Sequence, residues 1–122
     1  MEQKENIVVK KSIDFALDII SFSELLESKK KFVVANQLLK SGTSIGANIH
    51  EAQNAESRVD FIHKMKIAAK ELEETKYWLL LCEKSPNYPF EVQLKSKIEE
   101  LGLIVYKIIS SSKSNSVTQS GK

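Results

Sequence analysis

The clearest pattern in the chain is a line of apolar or small residues that recurs at alternating steps of four and three. This spacing puts the side chains on one face of an α-helix, and a line sustained over six steps is typical of a helix packed nearly parallel to others. The pattern predicts a helix that begins after Ser57, with Asp60 three residues on as a weak capping box, and ends near Glu83. The line comprises Phe61, Met65, Ala68, Leu72, Thr75, Leu79 and Cys82.

Two other segments repeat this period. The first helix is predicted to begin after Asn6, a favourable N-cap residue, and to end near Glu27. It carries two adjacent apolar stripes, and so wide an apolar face needs either two neighbours in its own chain or a partner outside it. The stripes are Ile13, Leu17 and Ile20, and Phe15, Ile19, Phe22 and Leu26. A last helix follows the two prolines and aligns Leu94, Ile98, Leu101, Val105 and Ile108.

The remaining helical segment contains two glycines, which leaves two interpretations. Gly42 and Gly46 each cost a helix about 1 kcal/mol relative to alanine, so the segment could break into two short helices. The apolar line stays in phase across both glycines, which favours one continuous helix. The glycines would then lie one turn apart on one face and let a neighbouring backbone approach closely. The line is Val34, Leu38, Ser41, Ile45, Ile49 and Ala52.

Four amphipathic helices with short connections predict an all-α protein, an antiparallel up-down-up-down four-helix bundle. The chain has 122 residues, enough for one domain with its own core, and only four glycines and two prolines. We assign residues 1–111 to the bundle. From Ser110 onward the composition is rich in serine, asparagine, threonine and glycine and almost free of apolar residues, so residues 112–122 are predicted to form a disordered tail.

Composition and charge exclude several classes of protein. No apolar run approaches the ~20 residues of a membrane span, and the polar N-terminus is unlike a secretory signal. Cys82 is the single cysteine, so the chain cannot form an internal disulfide, and we expect a cytoplasmic protein. The net charge is only +2, and Arg58 is the only arginine. This balance is weaker than that of a dedicated nucleic-acid binder.

The sequence contains no convincing catalytic or metal-binding motif. Asp60 and His63 have the spacing of half a di-iron motif, but such a site needs two of these pairs and two further carboxylates. The other histidine, His50, is adjacent to Glu51 and not one turn from it. Cys82 lies in an apolar line, as expected of an inert core thiol. We therefore predict no catalytic residue, no metal, no cofactor and no small-molecule substrate.

Three sets of residues are candidates for structural or binding roles. A polar set beside the second apolar line is expected to be buried and to fix the register of a neighbouring helix, or else to form a polar pocket or oligomer contact: Ser44, Asn48 and Glu51, with Thr75 as a partner. A basic cluster is either a solvated surface or, repeated in an oligomer, a phosphate contact: Lys29, Lys30, Lys31 and Lys40. An aromatic set is expected to anchor a protein interface, with core packing as the alternative for its tryptophan: Tyr77, Trp78 and Tyr106.

Residues 37–52 read QLLKSGTSIGANIHEA, and this stretch is similar to the signature of the 23S rRNA intervening-sequence protein family. Residues 60–79 resemble the same family, and the likeness covers nearly the whole chain except its two ends. The chain departs from a common form of the signature in having Gly46 where many members carry proline and Ala52 where many carry glycine. Both departures make a continuous helix easier to form.

The resemblance implies a bacterial four-helix bundle that assembles as a ring-like homo-oligomer, a pentamer. Members are encoded within insertions in 23S rRNA genes and elsewhere in bacterial genomes. Related bundles are accessory subunits of diversity-generating retroelements, where they associate with a reverse transcriptase and nucleic acid. No activity or cofactor is established for the family. We therefore expect a non-enzymatic scaffold or accessory protein that contacts RNA or a nucleic-acid enzyme; the alternative is a protein–protein adaptor without nucleic-acid contact.

Overall fold

Four consecutive α-helices make up the protein. The structure, a computed structural model, describes the backbone of residues 6–120 and the side chains of residues 6–114. The helices are α1 (Ile7–Ser28), α2 (Phe32–Gln53), α3 (Arg58–Lys84) and α4 (Val92–Ser120). Helices α1 and α3 each pack on α2 and α4, and in the described chain neither diagonal pair packs directly. The predicted all-α, up-down-up-down bundle is confirmed.

The helix starts follow the predicted capping residues. The Asn6 side chain accepts a hydrogen bond from the Val9 amide, and the Ser57 hydroxyl accepts one from the Asp60 amide at 3.0 Å. The Asp60 carboxylate in turn accepts from the Glu56 amide at 3.3 Å, one residue before the position that a capping box would use. Both caps satisfy amides that have no partner within the helix.

Helix α2 is continuous through both of its glycines, as the phase of its apolar line indicated. A β-carbon placed on Gly42 would lie 2.8 Å from Ile19 Cγ2, and one on Gly46 would lie 3.2 Å from Ser12 Oγ. Real β-carbons essentially never approach as closely as the first of these distances. The two glycines therefore allow α1 to lie closer to α2 than any larger residue would permit.

The core lies between the four helices and includes the line that identified α3. Phe61 is half-buried, and the other members of that line are buried. In α1 only one of the two stripes is buried, namely Phe15, Ile19, Phe22 and Leu26. The fully buried residues with the largest side chains elsewhere are Leu38, Ile45, Ile49, Met65, Leu72, Leu94, Ile98 and Leu101.

Helix α4 extends beyond the core. Its last buried side chain is Ile109, close to the predicted domain boundary at residue 111, whereas the helical backbone runs on to Ser120. No proline or glycine interrupts residues 103–120, so nothing in that sequence forces the helix to stop where burial ends. The predicted disorder of residues 112–122 stays a prediction, and residues 121 and 122, like residues 1–5, lie outside the described chain.

Candidate interaction surfaces

The outer face of α1 carries three exposed apolar side chains, which we call the α1 stripe: Ile13, Leu17 and Ile20. They are 43%, 57% and 38% exposed. This is the second of the two stripes read from the sequence, and the other three helices leave it uncovered because α1 turns its first stripe toward them. Large apolar side chains aligned on one exposed helix face are typical of a binding surface.

A groove of about 350 Å³ lies between α3 and α4, and we call it the α3–α4 groove. Its walls are apolar, and Tyr77 and Leu80 on its rim are 53% and 45% exposed. Charged side chains surround it, including the ion pair of Lys95 with Glu83, whose atoms lie 3.3 Å apart. Because α1 and α3 occupy opposite corners of the bundle, the groove and the α1 stripe face in different directions.

The three candidate aromatic residues do not form one cluster. Tyr77 and Trp78 are in edge-to-face contact, with ring centroids 5.2 Å apart. Trp78 is half-buried, packs against the core and donates to the Glu74 carboxylate at 3.1 Å, so it combines both predicted roles. Tyr106 belongs to the α3–α4 edge, where its hydroxyl donates to Glu73 at 2.7 Å. Burial, followed by the hydrogen bond to Glu73 and its charge, raises the pKa of Tyr106 to about 12.

The interhelical polar contact is made by a residue that the polar set did not include. The hydroxyl groups of Ser41 and Thr75 share a buried hydrogen bond of 2.9 Å between α2 and α3. Thr75 is therefore buried and bonded to α2, but its partner is Ser41, which the sequence had placed in the apolar line. This hydrogen bond fixes the register of the two helices, since an unpartnered hydroxyl there would be costly.

The other members of the polar set have local partners. Ser44 donates to the carbonyl of Lys40 at 2.6 Å, and Asn48 donates to the carbonyl of Ser44 at 2.8 Å, both within α2. Glu51 is exposed and pairs with Lys64 at 3.1 Å. The expectation of burial is wrong for Glu51, and Ser44 and Asn48 are only half-buried. The reason is a small rotation of α2, which turns the step that contains Ser41 toward α3.

The predicted lysine cluster lies at the end of the bundle where α1 connects to α2. Lys30 has a φ of 64°, and its amide donates to Glu27 while that of Lys31 donates to Leu26, which closes α1 in a Schellman motif. Lys31 stacks on Tyr88, with its Nζ 4.8 Å from the ring centroid. Two members, Lys29 and Lys30, are exposed together in this connection, and Lys40 is exposed two turns along α2.

Comparison with known proteins places this architecture. A profile of the 23S rRNA-intervening sequence protein family matches residues 4–110. The chain belongs to this family. It is also similar to the crystal structure of a protein of unknown function from the S23 ribosomal protein family of Bacteroides thetaiotaomicron, with a TM-score of 0.75 and 44% identity. That match covers 84% of this chain and 97% of the other. No curated protein matched the chain.

The 23S rRNA-intervening sequence protein fold offers little chemistry in this chain. In the described residues, no three His, Cys, Asp or Glu side chains converge on a possible metal position. His50 and His63 are exposed, and Nδ1 of His50 lies 2.9 Å from the Gly46 carbonyl oxygen. Burial raises the pKa of the Cys82 thiol to about 11, which keeps it protonated and unreactive near neutral pH. No helix of the described chain is both long and apolar enough to cross a membrane.

Proposed function

We propose that the protein is a non-enzymatic, cytoplasmic scaffold that self-associates and acts as an accessory factor to RNA or a ribonucleoprotein. The observation that carries this proposal is the α1 stripe. Burying a leucine side chain contributes about 1.5–3 kcal/mol, so covering Leu17 and its two neighbours in every copy would provide a substantial driving force for assembly. The RNA link draws its support from the name of the family to which the chain belongs.

The partner surface that we propose for the α1 stripe is the α3–α4 groove of a second copy. The stripe is a raised row of aliphatic side chains, and the groove is a recess with apolar walls. The two lie on different helices at opposite corners of the bundle, so this contact joins unlike surfaces. Such a head-to-tail contact propagates from copy to copy, and it closes into a ring when the rotation between copies allows. The family resemblance makes five copies the expected number.

The assembly is tested by sedimentation of Leu17→Asp and Leu80→Asp variants, because each places a carboxylate on one of the two surfaces. Both residues are largely exposed, so the variants should fold. Each variant alone is expected to be a monomer, and an equimolar mixture should form a dimer, since each retains one intact surface. Val33→Asp is the matched control, because Val33 is 72% exposed and belongs to neither surface.

Two outcomes would contradict parts of this proposal. A monomeric wild-type protein would remove self-association altogether. Loss of assembly in Leu17→Asp with normal assembly in Leu80→Asp would keep self-association but show that the groove is not the receiving surface.

A protein–protein adaptor without nucleic-acid contact is the second candidate, and the exposed Tyr77 and Leu80 at the groove favour it. RNA binding measured over a salt series separates the two functions. Binding that weakens steeply as salt increases supports the RNA-linked role, because phosphate contacts release counterions. An absence of binding even at low salt supports the adaptor.

A further inference from the structure

The antiparallel pairing of α3 and α4 separates charge in a way that the linear sequence conceals. Residues 55–84 contain as many acidic as basic side chains, but the bases come first and the acids later. Because α4 runs back along α3, the first half of α3 lies beside the second half of α4. Residues 101–114 of α4 contain no acid at all.

This arrangement concentrates positive charge at one end of the helix pair. Residues 58–70 and 101–114 together contain six basic side chains against one acid, Asp60. One of the six, Lys64, is neutralised by Glu51 of α2. We call the other five the basic end: Arg58, Lys66, Lys70, Lys107 and Lys113. The predicted cluster at Lys29–Lys31 lies at the opposite end of the bundle, where the α1–α2 and α3–α4 connections meet.

The basic end differs from the other lysines of the bundle in its lack of counter-charges. Lysines elsewhere are paired, as in Lys11 with Glu100, Lys95 with Glu83 and Lys97 with Asp18. No member of the basic end forms an ion pair with a carboxylate in the described chain.

Two of its lysines are instead neighbours of each other. The hydrogen bond and positive charge of Lys113, with some desolvation, lower the pKa of Lys66. Two like charges held side by side oppose folding slightly, and a bound anion between them would remove that repulsion.

We propose that the basic end binds the phosphate backbone of RNA. Lys66 and Lys70 are one turn apart on α3, about 6 Å along its axis, and Lys113 lies alongside on α4, so several phosphates of one strand could be contacted together. Four of the five cations are lysines, which act as point charges and lack the planar fork that reads guanine. The contact is therefore sensitive to salt and indifferent to base sequence. This inference rests on the RNA link of the proposed function and replaces the Lys29–Lys31 cluster as its site.

The test measures the binding of the wild-type protein to fluorescent single-stranded RNAs of two unrelated sequences over a salt series. In the Lys66→Gln/Lys70→Gln variant, the slope of log affinity against log salt should become shallower by about two, one for each lost phosphate contact, for both RNAs. Lys29→Gln/Lys30→Gln removes the same charge at the opposite end and should leave the slope unchanged. Circular dichroism checks folding, which Lys66→Gln should not harm because it relieves the repulsion from Lys113.

Each alternative result has a separate meaning. A reduced slope in Lys29→Gln/Lys30→Gln, with none in Lys66→Gln/Lys70→Gln, would overturn the basic end as the site but leave the RNA link intact. No RNA binding by the wild-type protein at low salt would remove the RNA link itself. Binding to vesicles of anionic phospholipid that depends on Lys66 and Lys70, without RNA binding, would assign the basic end to a membrane surface and overturn the proposal.

Discussion

The pairs α1–α2 and α3–α4 are both antiparallel and similar in length, yet they pack in opposite ways. Gly42 and Gly46 of α2 bring α1 so close that a single added carbon at Gly42 would collide with Ile19. Between α3 and α4, a β-carbon on Gly102 would lie 3.4 Å from Leu72, an ordinary contact, and a groove remains open nearby. The close pair supplies rigidity, while the wider pair leaves a recess and charged edges that a partner can use.

Ile19→Ala should cause the largest loss of stability, because Ile19 is fully buried and fills the space above Gly42. We expect the free energy of unfolding to fall by about 2–5 kcal/mol, as for other large-to-small changes in a core. Urea denaturation measures the change. A loss below about 1 kcal/mol would mean that the α1–α2 contact collapses around the cavity and is less rigid than proposed.

Gly42→Ala should destabilise the protein even though alanine is the better helix former. The added methyl would meet Ile19 Cγ2 at 2.8 Å and Ile19 Cβ at 3.3 Å, so the helices must move apart. Overpacking of this kind costs about 1–3 kcal/mol, which exceeds the gain of about 1 kcal/mol in helix propensity or cancels it. In an Ile19→Ala background the same change should become stabilising. A double-mutant cycle with no coupling would show that the close approach is not the cause.

Gly102→Ala should have the opposite sign and a smaller magnitude. The new methyl would make van der Waals contact with Leu72 and would restrict the unfolded chain, so we expect a stabilisation of about 0.5–1 kcal/mol. Thermal unfolding of Gly42→Ala and Gly102→Ala side by side measures the contrast directly. Destabilisation by both changes would erase the proposed difference between the two helix pairs.

The sequence predicted the helices and their starts because these depend on local features. Period, caps and prolines are read within a few residues, and the continuous path of α2 through Gly42 followed from the phase of its apolar line. Helix rotation is different, since it depends on what all four helices bury together. The sequence therefore could not choose which α1 stripe faces the core, or whether Ser41 or Ser44 faces α3. The basic end was missed for a similar reason, because it exists only when α4 folds back on α3.

The smallest predicted effect concerns the polar edge of the wider pair. Tyr106 donates to Glu73 across α3 and α4, and its pKa is raised from 10.0 to about 12, chiefly by burial. Because the pKa in the folded protein lies above the unfolded value, the contribution of this contact is fully present below pH 10 and is lost as the pH rises toward 12. The stability difference between the wild-type protein and Tyr106→Phe should therefore shrink over that interval. Gly42→Ala removes no titratable group, so its difference from the wild type should stay constant there. If the Tyr106→Phe difference also stayed constant, this edge contact would contribute nothing to holding α3 and α4 together.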